Sequence, residues 1–120
     1  MHELSIAEAI LAIVCEHADG RPVTRVDVRV GHLRQVVPDA LAFSFEMVAQ
    51  GTVAEGAELV LESVPAEGDC RVCGARSRLP EFPLRCRACG GLDIDVVSGE
   101  ELCVESFDVT DEQPVPEEAV

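Results

Sequence analysis

Tryptophan and tyrosine are absent from this 120-residue chain, and phenylalanine occurs only four times. A core held by stacked aromatics is therefore excluded, and any core must be built from Ala, Val, Leu and Ile, which carry most of the 48% hydrophobic content. Basic residues are also scarce: nine Lys and Arg face 23 Asp and Glu, for a formal charge of −14. Phosphate backbones are bound by clustered positive charge, so this balance argues against a nucleic-acid partner and favours cations and basic protein surfaces. No apolar run reaches the length of a membrane span. Residues 6–15 form the one stretch that could imitate an export signal, but no basic residue precedes it, Glu8 lies within it, and Val14 stands where a small residue is wanted. These features predict a cytoplasmic protein, in which six cysteines serve as metal ligands or buried thiols rather than disulfides.

Hydrophobic periodicity divides the chain. Leu4, Ala7, Leu11, Val14 and Ala18 recur at three- and four-residue spacings, one helical face, which Ile10 and Ile13 widen. Ser5 and Glu8 have the spacing of a capping box, which predicts a helix start near Ile6 and a short arm over residues 1–4. Thr24, Val26, Val28 and Val30 alternate with charged residues as in a half-buried strand. Pro38 marks the start of a second helix with Leu41, Phe45 and Val48 on one face, ending before Gly51. Residues 58–64 and 102–109 alternate again and read as strands. The expected fold is α+β, a small antiparallel sheet with two helices, interrupted by an inserted zinc-ribbon-like module of four cysteines. The expected boundaries are a discontinuous domain over residues 1–67 and 92–110, the module over 68–91, and an acidic, disordered tail over 111–120.

The module carries the strongest signal. Cys70, Cys73, Cys86 and Cys89 form two CxxCG hooks twelve residues apart. Two residues between cysteines let both thiolates of a tight turn face one ion, and Gly74 and Gly90 can adopt the backbone angles of that turn. Two hooks complete an all-sulfur tetrahedron, the closed arrangement of structural Zn²⁺. Iron in a rubredoxin-like site is the competing occupant and would be coloured. Cys15 and Cys103 fall outside the hooks and are expected to be buried small hydrophobes.

The chain opens Met-His-Glu. The α-amine of Met1, the amide nitrogen of His2 and its imidazole can close adjacent five- and six-membered chelate rings around one metal, with the Glu3 amide nitrogen or carboxylate as a further donor. Amide-nitrogen ligation in a tetragonal plane suits Ni²⁺ or Cu²⁺ better than Zn²⁺, and copper in a reducing compartment is mostly Cu(I), which prefers sulfur. Spacing alone leaves open that His2 is an ordinary residue. His17 and His32 read as structural or solvent-facing.

The segments MHELSIAEAI, VGHLRQVVPDALAFSFE, GTVAEGAELVLESVP, the paired CxxCG hooks and SGEELCVESFDV occur in an order that resembles the HypA/HybF family of nickel metallochaperones over residues 1–109. The resemblance implies delivery of Ni²⁺ during maturation of [NiFe]-hydrogenase, and in some organisms of urease. The partners it implies are the nickel-associated GTPase HypB, the hydrogenase large-subunit precursor and urease maturation proteins. It makes Met1, His2 and Glu3 the nickel site, Ni²⁺ a transient cargo, and Cys70, Cys73, Cys86 and Cys89 the ligands of a structural Zn²⁺. The alternative is a zinc-ribbon adaptor for protein or nucleic acid, suggested by Arg71, Arg76, Arg78, Arg85 and Arg87 around the hooks. No nucleophile, base and orienting residue fall in a recognisable arrangement, so no enzyme is expected.

Overall fold

The computed structural model describes residues 2–110; the expectations for Met1 and for the acidic tail lie outside the described residues. The elements run α1 (His2–Ala18), β1 (Val23–Gly31), a single 3-10 turn (His32–Arg34), α2 (Pro38–Ala49), β2 (Glu58–Val64), β3 (Glu67–Cys70), β4 (Arg76–Arg78), β5 (Ile94–Ser98) and β6 (Leu102–Val109). Two three-stranded sheets result, ordered β2-β1-β6 and β4-β3-β5. Among the described residues no helix is long and apolar enough to cross a membrane.

The residues divide into two compact units. The first holds residues 2–28, 36–61 and 103–110; the second holds Arg29–Gln35 and Glu62–Leu102. In the first, α1 packs on α2, with Ala7, Ile10 and Val14 of one helix and Leu41, Phe45 and Ala49 of the other buried. Alanines at this interface let the two backbones approach, and Phe45, 1% exposed, fills the volume that the missing Trp and Tyr leave to aliphatics. Val23, Val26 and Val28 of β1 complete the apolar set.

Three local expectations need correction. Helix α1 begins at His2 and not near Ile6, so residues 2–4 are not an extended arm and Ser5 lies inside the helix rather than capping it. The cause is tertiary: the carboxylate of Glu3 accepts the Val37 N–H at 3.1 Å, where α2 begins, and Glu3 is buried there. The buried stripe of α1 accordingly runs Glu3, Ala7, Ile10, Val14, Ala18, while Leu4 and Leu11 are half-buried and Ile13 is exposed. The third correction concerns the spare thiols. Cys15 is half-buried, and Cys103 is exposed, on the outward side of the alternation in β6.

The second unit is built on the sheet β4-β3-β5, which the sequence patterns do not predict. Strand β3 pairs antiparallel with both neighbours, with Gly68 opposite Ser77 and Val96. Ala66, Leu79 and the sulfurs of Cys70 and Cys86 make its small interior. Gly99 follows β5 at φ +110°, and a Cβ built there would sit 2.5 Å from Ala66 Cα. Both the left-handed backbone and the lack of space require glycine. Gly99→Ala should destabilise the protein by roughly 1–3 kcal/mol in denaturant unfolding; an unchanged midpoint would show that the turn can relax.

Candidate metal centres

The two CxxCG hooks fold as the same loop twice. In the first, the Val72 and Cys73 N–H groups donate to Cys70 Sγ at 3.3 and 3.4 Å, and Gly74 N–H donates to the Cys70 carbonyl at 2.9 Å. In the second, the Ala88 and Cys89 N–H groups donate to Cys86 Sγ at 3.4 and 3.5 Å, and Gly90 N–H donates to the Cys86 carbonyl at 2.9 Å. Gly74 and Gly90 both have positive φ, +80° and +77°, the left-handed conformation expected of them.

The hooks meet so that all four Sγ atoms lie within 4.8 Å of one another, with Cys70 to Cys89 and Cys73 to Cys86 each at 3.6 Å. A tetrahedral site with metal–sulfur bonds of ~2.3 Å has sulfur–sulfur edges of ~3.8 Å, so the quartet is already close to ligand geometry. Its electrostatics fit a cation. Backbone N–H donors, that of Cys89 foremost, lower the Cys86 thiol to about 6, and the Cys73 and Val72 N–H groups lower Cys70. Gly91 N–H pulls Cys89 in the same direction, yet sharing the site with Cys70, Cys73 and Cys86 raises it to about 11. The first thiolates are stabilised and the next is repelled, a conflict that a divalent cation removes. Ser77, buried beneath the second hook, donates to Cys86 Sγ at 3.9 Å and accepts the Arg87 N–H at 3.1 Å; sequence spacing gives no sign of this support.

The amino-terminal residues are arranged differently. His2 opens α1 with its side chain 53% exposed, and its Nε2 lies 3.1 Å from Glu3 Oε2. That oxygen is the one that accepts the Val37 N–H. A carboxylate only accepts, so Nε2 is the donor in this contact, and in the neutral ring Nδ1 is the nitrogen free to bind a metal. Nδ1 is the nitrogen that closes a six-membered ring with its own backbone amide. The first amides of a helix have no carbonyl four residues earlier to bond, so a metal can take their nitrogens without breaking a helical hydrogen bond. The bond from Val37 holds the Glu3 carboxyl below its ordinary range, with burial opposing it and the neighbouring His2 assisting. The other two histidines are elsewhere: His17 Nδ1 bonds the Ile13 carbonyl at 2.8 Å, and His32 Nε2 bonds the Pro80 carbonyl at 2.6 Å.

Comparison with known proteins identifies the family. Residues 1–109 match the family model described as HypA, hydrogenase/urease nickel incorporation, metallochaperone. The hydrogenase maturation factor HypA of Geotalea uraniireducens is 45% identical over 109 residues, covering 91% of this chain and 99% of the relative. That of Nostoc punctiforme is 41% identical over 109 residues, covering 91% and 96%. In fold, the chain resembles the solution structure of a HypA protein with a TM-score of 0.67 at 22% identity, covering 93% of this chain and 98% of that one. It also resembles the solution structure of the Ni metallochaperone HypA from Helicobacter pylori, with a TM-score of 0.64 at 20% identity and coverage of 89% and 96%.

Proposed function

Because the chain belongs to the HypA family of hydrogenase/urease nickel-incorporation metallochaperones, we propose that it carries Ni²⁺ on its amino terminus and hands it over during maturation of a [NiFe]-hydrogenase or a urease. The ligands are the α-amine of Met1, the amide nitrogens of His2 and Glu3, and Nδ1 of His2. The observation that supports this reading is the Glu3 contact, which engages Nε2 and leaves Nδ1, the nitrogen of the chelate ring, outside that bond. With its carboxylate bound to Val37 and His2, Glu3 contributes its amide as donor and its side chain as orienting group.

Cys70, Cys73, Cys86 and Cys89 hold a structural Zn²⁺, which cross-links the two hooks and leaves no open position for chemistry. Functionally, residues 1–67 and 92–110 form the nickel-binding part and residues 68–91 the zinc module. The work is binding and release in the cytoplasm, where the thiols stay reduced; there is no turnover. The GTPase HypB and the hydrogenase large-subunit precursor are the partners in the transfer.

The test is calorimetric titration of untagged, zinc-loaded protein with Ni²⁺, with zinc content measured alongside. One equivalent should bind with zinc retained, and affinity should rise with pH because the amine, amide and imidazole donors must lose protons. Nickel that enters only by displacing zinc would overturn the assignment. Glu3→Gln replaces an ionised acceptor with a neutral amide and should weaken nickel binding about tenfold or more while leaving zinc content unchanged. Equal affinity in that variant would remove Glu3 from the orienting role.

A further inference from the structure

The chain's cations are all arginine, and five of them, Arg71, Arg76, Arg78, Arg85 and Arg87, fall in the module with only Asp69 and Glu81 as acids between residues 68 and 91. Three have carboxylates beside them. Arg71 lies 3.7 Å from Asp93 and 3.6 Å from Asp95, Arg76 forks onto Asp69 at 2.7 and 3.0 Å, and Arg78 lies 3.5 Å from Glu67. Arg85 and Arg87 have no carboxylate partner among the described residues; Arg85 donates to the Gly90 carbonyl at 3.2 Å, and both side chains are exposed on either side of the buried Cys86.

These two arginines are set around recesses. Both line a cleft of about 280 Å³ together with Pro80, Glu81, Phe82 and Pro83. Arg87 also borders a second cleft of about 330 Å³ with His32 and Arg78, and the two clefts share Leu79 and Pro80. Phe82 is 54% exposed, an aromatic ring left in water in a chain that has only four. Net positive charge, two guanidinium groups against the single carboxylate of Glu81, an exposed ring and two adjoining recesses therefore meet within the module of a strongly acidic protein.

We propose that this face docks an extended acidic segment of a partner protein, with carboxylates on Arg85 and Arg87 and an apolar side chain against Phe82. Guanidinium groups recognise single carboxylates through paired N–H donors, and spaced carboxylates on a peptide can meet two of them while the apolar residue between covers the ring. A nucleic acid fits less well. Its continuous charge would be repelled by the acidic remainder of the chain, and a single phenylalanine offers no run of stacking surfaces. The proposal stands on the module alone and does not depend on where nickel binds.

Zinc-loaded, isotope-labelled protein titrated with a blocked peptide of alternating Glu and Gly around one central Leu tests it by amide chemical shifts. The expected result is a saturable change confined to His32 and residues 78–87, strongest at low salt, and absent with the peptide in which Gln replaces every Glu. Arg87→Gln should weaken it about two- to fivefold, as for an exposed ion pair, and Phe82→Ala should weaken it independently. Arg25→Gln, in β1 and paired with Asp27, should not. Shifts scattered over the chain, no saturable change at low salt, or equal binding of the Gln peptide would each overturn the proposal. Tighter binding of an oligothymidylate of equal charge at the same residues would assign the face to nucleic acid instead.

Discussion

His2→Ala is expected to abolish the tight nickel site, lowering affinity by at least about a hundredfold in calorimetry, without altering zinc content or thermal unfolding. Replacement of groups that merely orient a metal ligand already costs about 10- to 100-fold, and here the ligand itself is lost together with the six-membered ring it closes. The imidazole is half-exposed and pairs with the Glu3 carboxylate, so its removal leaves no cavity in the core. A companion variant with one residue added before Met1 should fail equally. The extension converts the α-amine into an amide and moves the free amine out of reach of the five-membered ring, while every side chain is retained. If both variants bind nickel as the parent does, the ion sits elsewhere and the amino-terminal carrier is wrong. The Glu3 contribution has its own pH signature. The folded carboxyl is lowered, so its contribution is full above the ordinary glutamate range and is lost as pH falls through the lowered folded value.

Removal of zinc, by a chelator or by Cys86→Ser, should unfold the sheet β4-β3-β5. This unit has few apolar residues to bury, and its interior is shared with two of the four sulfurs. Metal binding contributes on the order of 10 kcal/mol or more in small zinc peptides, several times what so small a core can supply. Amide signals of residues 67–98 should collapse toward random-coil shifts. Those of α1 and α2 should persist, because Phe45, Leu41 and Val14 form an apolar core that contains no cysteine ligand. Retention of the β3 signals in metal-free protein would show that the sheet stands without the ion. The protein before chelation identifies the occupant: colour as isolated would indicate iron, and its absence with one equivalent of zinc would agree with the structural site.

Much of this architecture is visible in the residues themselves. Strands β2 and β6 and helix α2 are legible because each has a clean period, and Pro38 and Gly51 bracket the helix. The hooks are legible because CxxCG is a local rule with a local cause, the N–H donors of the turn. The second sheet is not. Glu-Gly-Asp-Cys and Arg-Ser-Arg have no strand propensity, and they pair because the hooks bring them together. The true start of α1 is hidden for a related reason: Glu3 needs Val37, and nothing in the first ten residues announces a partner 34 positions away. Of the amino-terminal site, the chelating atoms, Nδ1 among them, can be counted from Met-His-Glu, but the contact through which Glu3 selects Nε2 as its donor needs the fold.

The oxygen at the centre of that selection also gives the molecule a natural reporter. Glu3 Oε2 receives the proton of the His2 ring and the proton of the Val37 amide together. Any change in the charge of the ring alters the electron density on that oxygen, and hence the shielding of one backbone proton at the mouth of α2. The Val37 cross-peak should thus follow cargo loading without a label, even where signals next to the ion itself are lost.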